Sequence, residues 1–395
     1  MMRPTVVALS AWLAVVSVSP SWSQQPSPAY EVWAVDQNGN LVYVLDPQGA
    51  VIRTIDSTGL GMARRPHMLW GVTGDAYLYS ANTVSNSVTV LGRSDGVVHG
   101  VILSVGKAPH AAQPHPLRPD RIYVMNIGPR AAGADGQPDR GETITELVRE
   151  AGAAGPAWRV ARFLDLKADP VLADSTRFPS RRPVCGGFSK DGRSMLVTLF
   201  NGGLAVVDLE SWRVTRAWGR ADVAQHGCGF AASPDGNELY VTAGDMQSSW
   251  LYVMDVSSRE PSLVATHNLS ATGQDAHGVF IDAQRRELWV VHRVSSNVTI
   301  HPLASLRRAD HQFAVIPFVG KTPDLIAFSP DGARAYITLR GPKPAPTIPH
   351  ATVGETPGVA IVDVPNRRLL SVVKLGNQET GDFHGIFVPA ARPSA

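Results

Sequence analysis

Short apolar runs separated by polar turns fill this chain from residue 30 to residue 389. The runs are too short for helices and rich in β-branched and aromatic residues, so they predict strands. The clearest unit spans residues 225–242. It reads as an apolar run, the turn Ser233-Pro234-Asp235-Gly236, and a second run ending in Tyr240-Val241-Thr242. Proline presets φ and glycine accepts a positive φ, so the unit predicts a hairpin. The same pattern returns at residues 184–198, around Ser189-Lys190-Asp191-Gly192, and at residues 324–338, around Ser329-Pro330-Asp331-Gly332.

Six complete copies open near His67, His110, Val184, His226, His277 and Asp324. Residues 30–35, 41–46 and 51–55 read as the later strands of a copy whose first strand is missing, and residues 383–389 supply that strand. The pattern therefore predicts an all-β, seven-bladed β-propeller of four-stranded antiparallel blades, closed by N- and C-terminal strands sharing one blade. Such a closure leaves no unpaired sheet edge in the ring. We number the closing blade 1 and the others 2 to 7 in chain order. Residues 30–389 form the propeller, 24–29 a Pro/Ser/Gln linker and 390–395 a tail. Two blades are swollen between their second and third strands. Blade 3 carries residues 128–158, with a short helix expected over 143–150, and blade 7 carries the Pro-rich 341–357 with His350. Long loops in compact domains are commonly functional, and these two would share one face. Asp135, Asp139 and Glu142 mark a weak cation loop in the first.

The repeated hairpin with its Tyr-Val-Thr ending resembles the YVTN family of β-propeller repeats over nearly the whole length from residue 30. The resemblance implies the fold. It also places the chain near the haem d1 domain of nitrite reductases, where propeller-face histidines meet a cofactor, and near lactonase-type propellers. Nitrous oxide reductase, another propeller, holds a histidine-rich copper cluster at its mouth. None of these matches residue by residue beyond the repeat, so no catalytic residue is carried over.

Aligning the copies on the aromatic or apolar residue four places on gives one shared position: His67, His110, Val184, His226, His277, Asp324 and His384. Histidine is 12 of 395 residues, yet it fills five of these seven places. Innermost strands line the channel of a propeller, so these side chains should converge at one mouth. Imidazole is the donor that suits copper, zinc, iron and nickel. A metal site on His67, His110, His226, His277 and His384 is one reading. A metal-free polar ligand site is a second, and a repeat-inherited structural histidine is a third. A second ring, three residues beyond the anchor of each second strand, holds Asp36, Asn82, Asn126, Leu199, Ala243, His292 and Leu339. His292 would add a ligand or a proton shuttle. Three residues before the first ring stand Arg64, Lys107, Arg181 and Lys321, a basic collar suited to an anionic ligand. His115 reads as a turn residue, and His99, His267, His301 and His311 as surface histidines.

Composition adds a compartment and some exclusions. Arg3, an apolar run over residues 6–18 and Ser21-Trp22-Ser23 match a secretory signal over residues 1–23, giving a periplasmic or secreted protein without a transmembrane segment after cleavage. With a net charge of +2 and no long basic run, nucleic acid is excluded as a partner. The two cysteines, Cys185 and Cys228, both lie near the start of inner strands. A disulfide, two buried thiols and two soft metal ligands all remain open. No Gly-x-Ser-x-Gly elbow, phosphate loop or His-Glu-x-x-His is present, and no Cys-x-x-Cys-His, so no covalent c-type haem is expected. Three functions stay open. The first is an exported protein binding copper, iron or a non-covalently bound cofactor, with oxidoreductase activity in view. The second is a lactonase-type hydrolase using Asp324. The third is a non-enzymatic scaffold that presents the mouth or the lid loops to a protein partner.

Overall fold

The computed structural model describes residues 30–58, 63–72, 75–129, 140–150, 157–345 and 352–389. The N-terminal signal and linker, Asp135, Asp139, His350 and the tail lie outside them. Among the described residues, 28 strands form seven four-stranded antiparallel sheets, the predicted propeller. Phe383–Phe387 pairs with Val32–Asp36 to close blade 1, as the split repeat requires. No helix among the described residues is long and apolar enough to cross a membrane.

Each pair of neighbouring blades buries one apolar cluster between its facing sheets. Trp289, Ile300, Phe328 and Ile337 lie between blades 6 and 7, and Tyr336, Ile361, Phe383 and Ile386 between blades 7 and 1. The wedges hold the ring shut by apolar burial. The helix expected over residues 143–150 is instead a strand, Thr143–Arg149, paired on both sides within blade 3. Thr143, Ile144, Thr145 and Val148 are β-branched and favour the pleated conformation, and two waiting neighbours complete the ladder.

One irregularity decides where the inner side chains point. In six blades the ladder between first and second strands shifts register across the ring position: at His67, His110, Val184, His277, Asp324 and His384. In blade 5 the ladder begins only at Phe230. Bulges of this kind re-aim side chains, here toward the axis. The residue after the ring position then meets the next blade's backbone. A Cβ on Gly229 would lie 2.2 Å from the His277 carbonyl oxygen, and one on Gly278 2.4 Å from that of Asp324. Glycine at these places lets the inner strands crowd the axis.

Candidate functional site

The pairing also corrects the ring. Residues two beyond the ring position sit opposite equivalent second-strand residues: Leu69 with Ser80, Ala112 with Val124, Gly186 with Val197, Val279 with Val290 and Ile326 with Ile337. In blade 5 the residue in that place is Phe230, opposite Val241, so the ring residue is Cys228 and not His226. The aromatic anchor Phe230 stands two places early. A slip of two keeps the same strand face, which hides it from the hydrophobic pattern. His226 instead takes a left-handed backbone with φ 60°, as Asp275 does (φ 62°) two places before His277. Its ring packs edge-on against Phe200 at 5.1 Å.

The other ring residues converge as expected. His67 stacks on His384 at 3.9 Å between ring centroids and meets His110 edge-on at 4.4 Å. His277 lies 5.7 Å from His384. Asp324 completes the group: its Oδ2 is 2.6 Å from His384 Nδ1, and its Oδ1 is 3.3 Å from His277 Nε2. All five are at most 1 % exposed, so they plug the channel instead of lining an open mouth.

The nitrogens of three of these imidazoles are sorted in one sense. His67 Nδ1 donates to Gln37 Oε1 at 2.8 Å, and His384 Nδ1 to Asp324. His110 Nδ1 faces Cys185 Sγ at 3.6 Å. In all three, Nε2 is buried and has no protein partner. His67, His110 and His384 each bring one donor atom within 4.8 Å of the other two, and His277, Asp324 and His384 do the same. Burial, followed by the neighbouring His384 and His110, holds His67 well below the usual imidazole range. Burial pushes His110 down to about 3. His277 is also held well below its usual range, by burial and then Arg293. Neutral imidazole is the form that ligates a metal.

Two buried arginines that the sequence reading missed frame this cluster. Arg340 makes a bidentate pair with Asp382 at 2.6 and 2.8 Å and reaches Asp324 at 2.9 Å. Arg293 makes a bidentate pair with Asp275 at 2.8 and 3.0 Å and lies 3.6 Å from Asp324. Gln37 Nε2 donates to Asp382 at 2.8 Å, which links the His67 partner to the arginine pair. Burial alone would raise the Asp324 carboxyl, but His384, His277 and Arg340 outweigh it and hold it well below the usual range. Three carboxylates thus face two guanidiniums, so the dry axis has a surplus of negative charge. Gln37, Arg293 and Arg340 directly follow Asp36, His292 and Leu339 of the second ring. One further step of the same alignment would have exposed them.

The remaining expected residues do not reach the axis group. Both nitrogens of His292 are occupied, by Ser249 Oγ of blade 5 at 3.0 Å and by Thr299 Oγ1 of its own blade at 2.9 Å. Asn82 and Asn126 likewise bond third-strand hydroxyls of their own blades, so this ring ties second strands to third strands. In the collar, Arg181 caps the carbonyls of Leu172 and Ala173 at 2.9 Å each, while Arg64 and Lys321 are exposed and Lys107 is half-buried. His115 ends the strand Pro109–His115 just before its hairpin turn, and its Nδ1 accepts from the backbone of Leu117 and Arg118. His267 and His301, expected at the surface, are buried and gather with His311, the His267 and His311 rings 3.9 Å apart. The Leu306 carbonyl and the Thr299 hydroxyl hydrogen-bond His267 and His301, so these buried rings are satisfied without solvent. Cys185 Sγ and Cys228 Sγ approach to 2.9 Å as unbridged thiols.

No protein-family model and no curated protein matches the chain by sequence. Solved structures match by shape. A Kuenenia stuttgartiensis hydrazine synthase chain is 16 % identical with a TM-score of 0.59, over 82 % of this chain and 96 % of that one. The β-propeller domain of Myceliophteria thermophila Cps50 (Swd1) is 14 % identical with a TM-score of 0.54, over 80 % and 94 %. At these identities the likeness is one of fold: this chain shares the seven-bladed β-propeller architecture of its structural neighbours.

Proposed function

We propose that this chain is an exported propeller, built on YVTN-type repeats, that holds a copper or iron ion on its axis through His67, His110 and His384. One observation carries the reading. Each of these imidazoles has a partner on its Nδ1 side (Gln37 Oε1, Cys185 Sγ and Asp324 Oδ2) and a buried, unpartnered Nε2 on the other. Metal-ligating histidines have this arrangement, because a hydrogen bond to the far nitrogen fixes the tautomer and strengthens the donor. The surplus of buried negative charge favours a cation at the same place. His277 and Asp324 complete the surroundings, Asp324 by orienting His384.

Every donor is sealed from solvent, so an ion here would exchange electrons more readily than ligands. That favours a redox centre over a hydrolytic one, since no lactone can reach Asp324 through the packed rings. A neighbour named as a hydrazine synthase puts a propeller of this shape in an enzyme, which agrees with an oxidoreductase without specifying the reaction. The test is metal analysis of protein taken from its native exported compartment, with His67→Ala beside it. Stoichiometric copper or iron that disappears in His67→Ala supports the centre. A metal-free protein that takes up neither ion on reconstitution refutes it.

A further inference from the structure

Next to the three imidazoles lies a sulfur cluster that the proposed centre does not use. Cys185 Sγ is its hub: 2.9 Å from Cys228 Sγ, 3.6 Å from Met68 Sδ and 3.6 Å from His110 Nδ1. Met68 follows the ring position in blade 2 and Cys185 follows it in blade 4, while Cys228 holds it in blade 5. Three blades far apart in sequence thus send their sulfurs to one point, all at most 4 % exposed. His110, Cys185 and Cys228 each place one donor atom within 4.8 Å of the others.

We propose that Cys185, Cys228 and Met68 form a second, soft-metal site selective for copper(I), with His110 on the boundary between the two sites. The donor set decides the metal. Thiolate and thioether favour copper(I), whereas structural zinc takes four ligands from cysteine, histidine and carboxylate. The pocket is dry, so a monovalent ion replacing one thiol proton leaves its charge unchanged, and that proton passes to solvent. Metal–sulfur bonds of about 2.3 Å in a trigonal plane set the sulfurs about 4 Å apart, so binding parts the two cysteines by roughly an ångström. The ion and a Cys185–Cys228 disulfide exclude each other, because a disulfide ties up both sulfurs.

The inference does not rest on the three-imidazole centre, and one experiment separates them. Reduced whole protein is titrated anaerobically with copper(I) against bicinchoninate, and the loaded protein is measured by copper K-edge absorption. The expected result is an equivalent with a sulfur shell. It should weaken at least a hundredfold in Cys185→Ser/Cys228→Ser, weaken about tenfold in Met68→Leu, and persist in His67→Ala/His384→Ala. Wild-type protein with its thiols oxidised to the disulfide should lack that equivalent, a control that needs no substitution and no refolding. A copper shell of nitrogen alone, or undiminished binding by the oxidised protein, overturns the sulfur site. Loss of copper in the double histidine variant with no change in the double cysteine variant overturns it too, and leaves the imidazole centre standing.

Discussion

Asp324 Oδ2 stands 2.6 Å from His384 Nδ1 and 2.9 Å from the Arg340 guanidinium, so one buried oxygen serves both an imidazole and an arginine. The carboxylate joins blade 7 to the closing strand of blade 1. It also fixes which nitrogen of His384 is left for a ligand. Asp324→Asn keeps the shape and removes the charge. Breaking a buried pair from one side costs about 3–5 kcal/mol, because the other charge is left uncompensated. Urea unfolding should show that loss, and metal affinity of the folded fraction should fall about 10–100-fold. A variant within about 1 kcal/mol of wild type would show that Asp324 is not the ionised hub.

Stability of the metal-free protein should fall on mild acidification. Burial pushes His110 to about 3, His226 to about 4 and His292 to about 3 in the folded state. Unfolded histidine titrates near 6.5, so below that pH the unfolded chain binds more protons and stability drops with falling pH. Each histidine contributes a slope of about 1.4 kcal/mol per pH unit, and three give roughly 4. Asp324 works at lower pH: its carboxyl is held down in the fold, so its contribution is present above about 3.9 and lost below. Asp36 and Asp275, raised chiefly by burial, oppose this only near the carboxylate range. Unfolding followed by circular dichroism should be flat from pH 8 to 7 and cooperative between about 6 and 4. A midpoint below pH 3 would contradict the burial of neutral rings.

The register correction gives a sharp contrast. His226→Ala should leave metal content unchanged, since His226 stands two places before the ring with its ring packed edge-on against Phe200. His110→Ala should remove the axial ion, because it deletes an unpartnered Nε2. Metal analysis of the two purified variants checks this. Equal loss in both would restore His226 to the ligand set.

The blade count and closure were legible because three blades repeat a Ser-x-Asp-Gly turn that sets the spacing of the rest, and because residues 383–387 complete the strands that begin at Val32. Four of the five ring histidines were legible for the same reason. Cys228 was not, since Phe230 is as good an apolar anchor as Ala232, and only the partner Val241 shows which one is in register. The strand Thr143–Arg149 was lost inside what looked like an insertion, with no turn motif to announce it. Arg293 and Arg340 were missed because charged residues read as solvated unless their partners are known. Asp275 lies 18 positions from Arg293, and Asp382 lies 42 from Arg340.

Closure of the ring should be the most sensitive point of the whole fold. The strand Phe383–Phe387 supplies the inner edge of blade 1, pairs with Val32–Asp36, and carries His384 to the axis. It also brings Phe383 and Ile386 into the wedge between blades 7 and 1. Deleting residues 383–395 therefore opens a sheet edge, empties part of a wedge and removes the ligand beside Asp324. His384→Ala removes only the last of these. The deletion should unfold or aggregate at temperatures where His384→Ala remains a folded, metal-poor monomer, because an open strand edge is a template for self-association. A peptide of residues 383–389 added in trans should recover part of the lost melting temperature, since it restores the edge and the wedge together. Thermal melts and light scattering on the three preparations decide it. If the deletion melts like His384→Ala, the blades are held by their wedges alone and the closing strand contributes no stability.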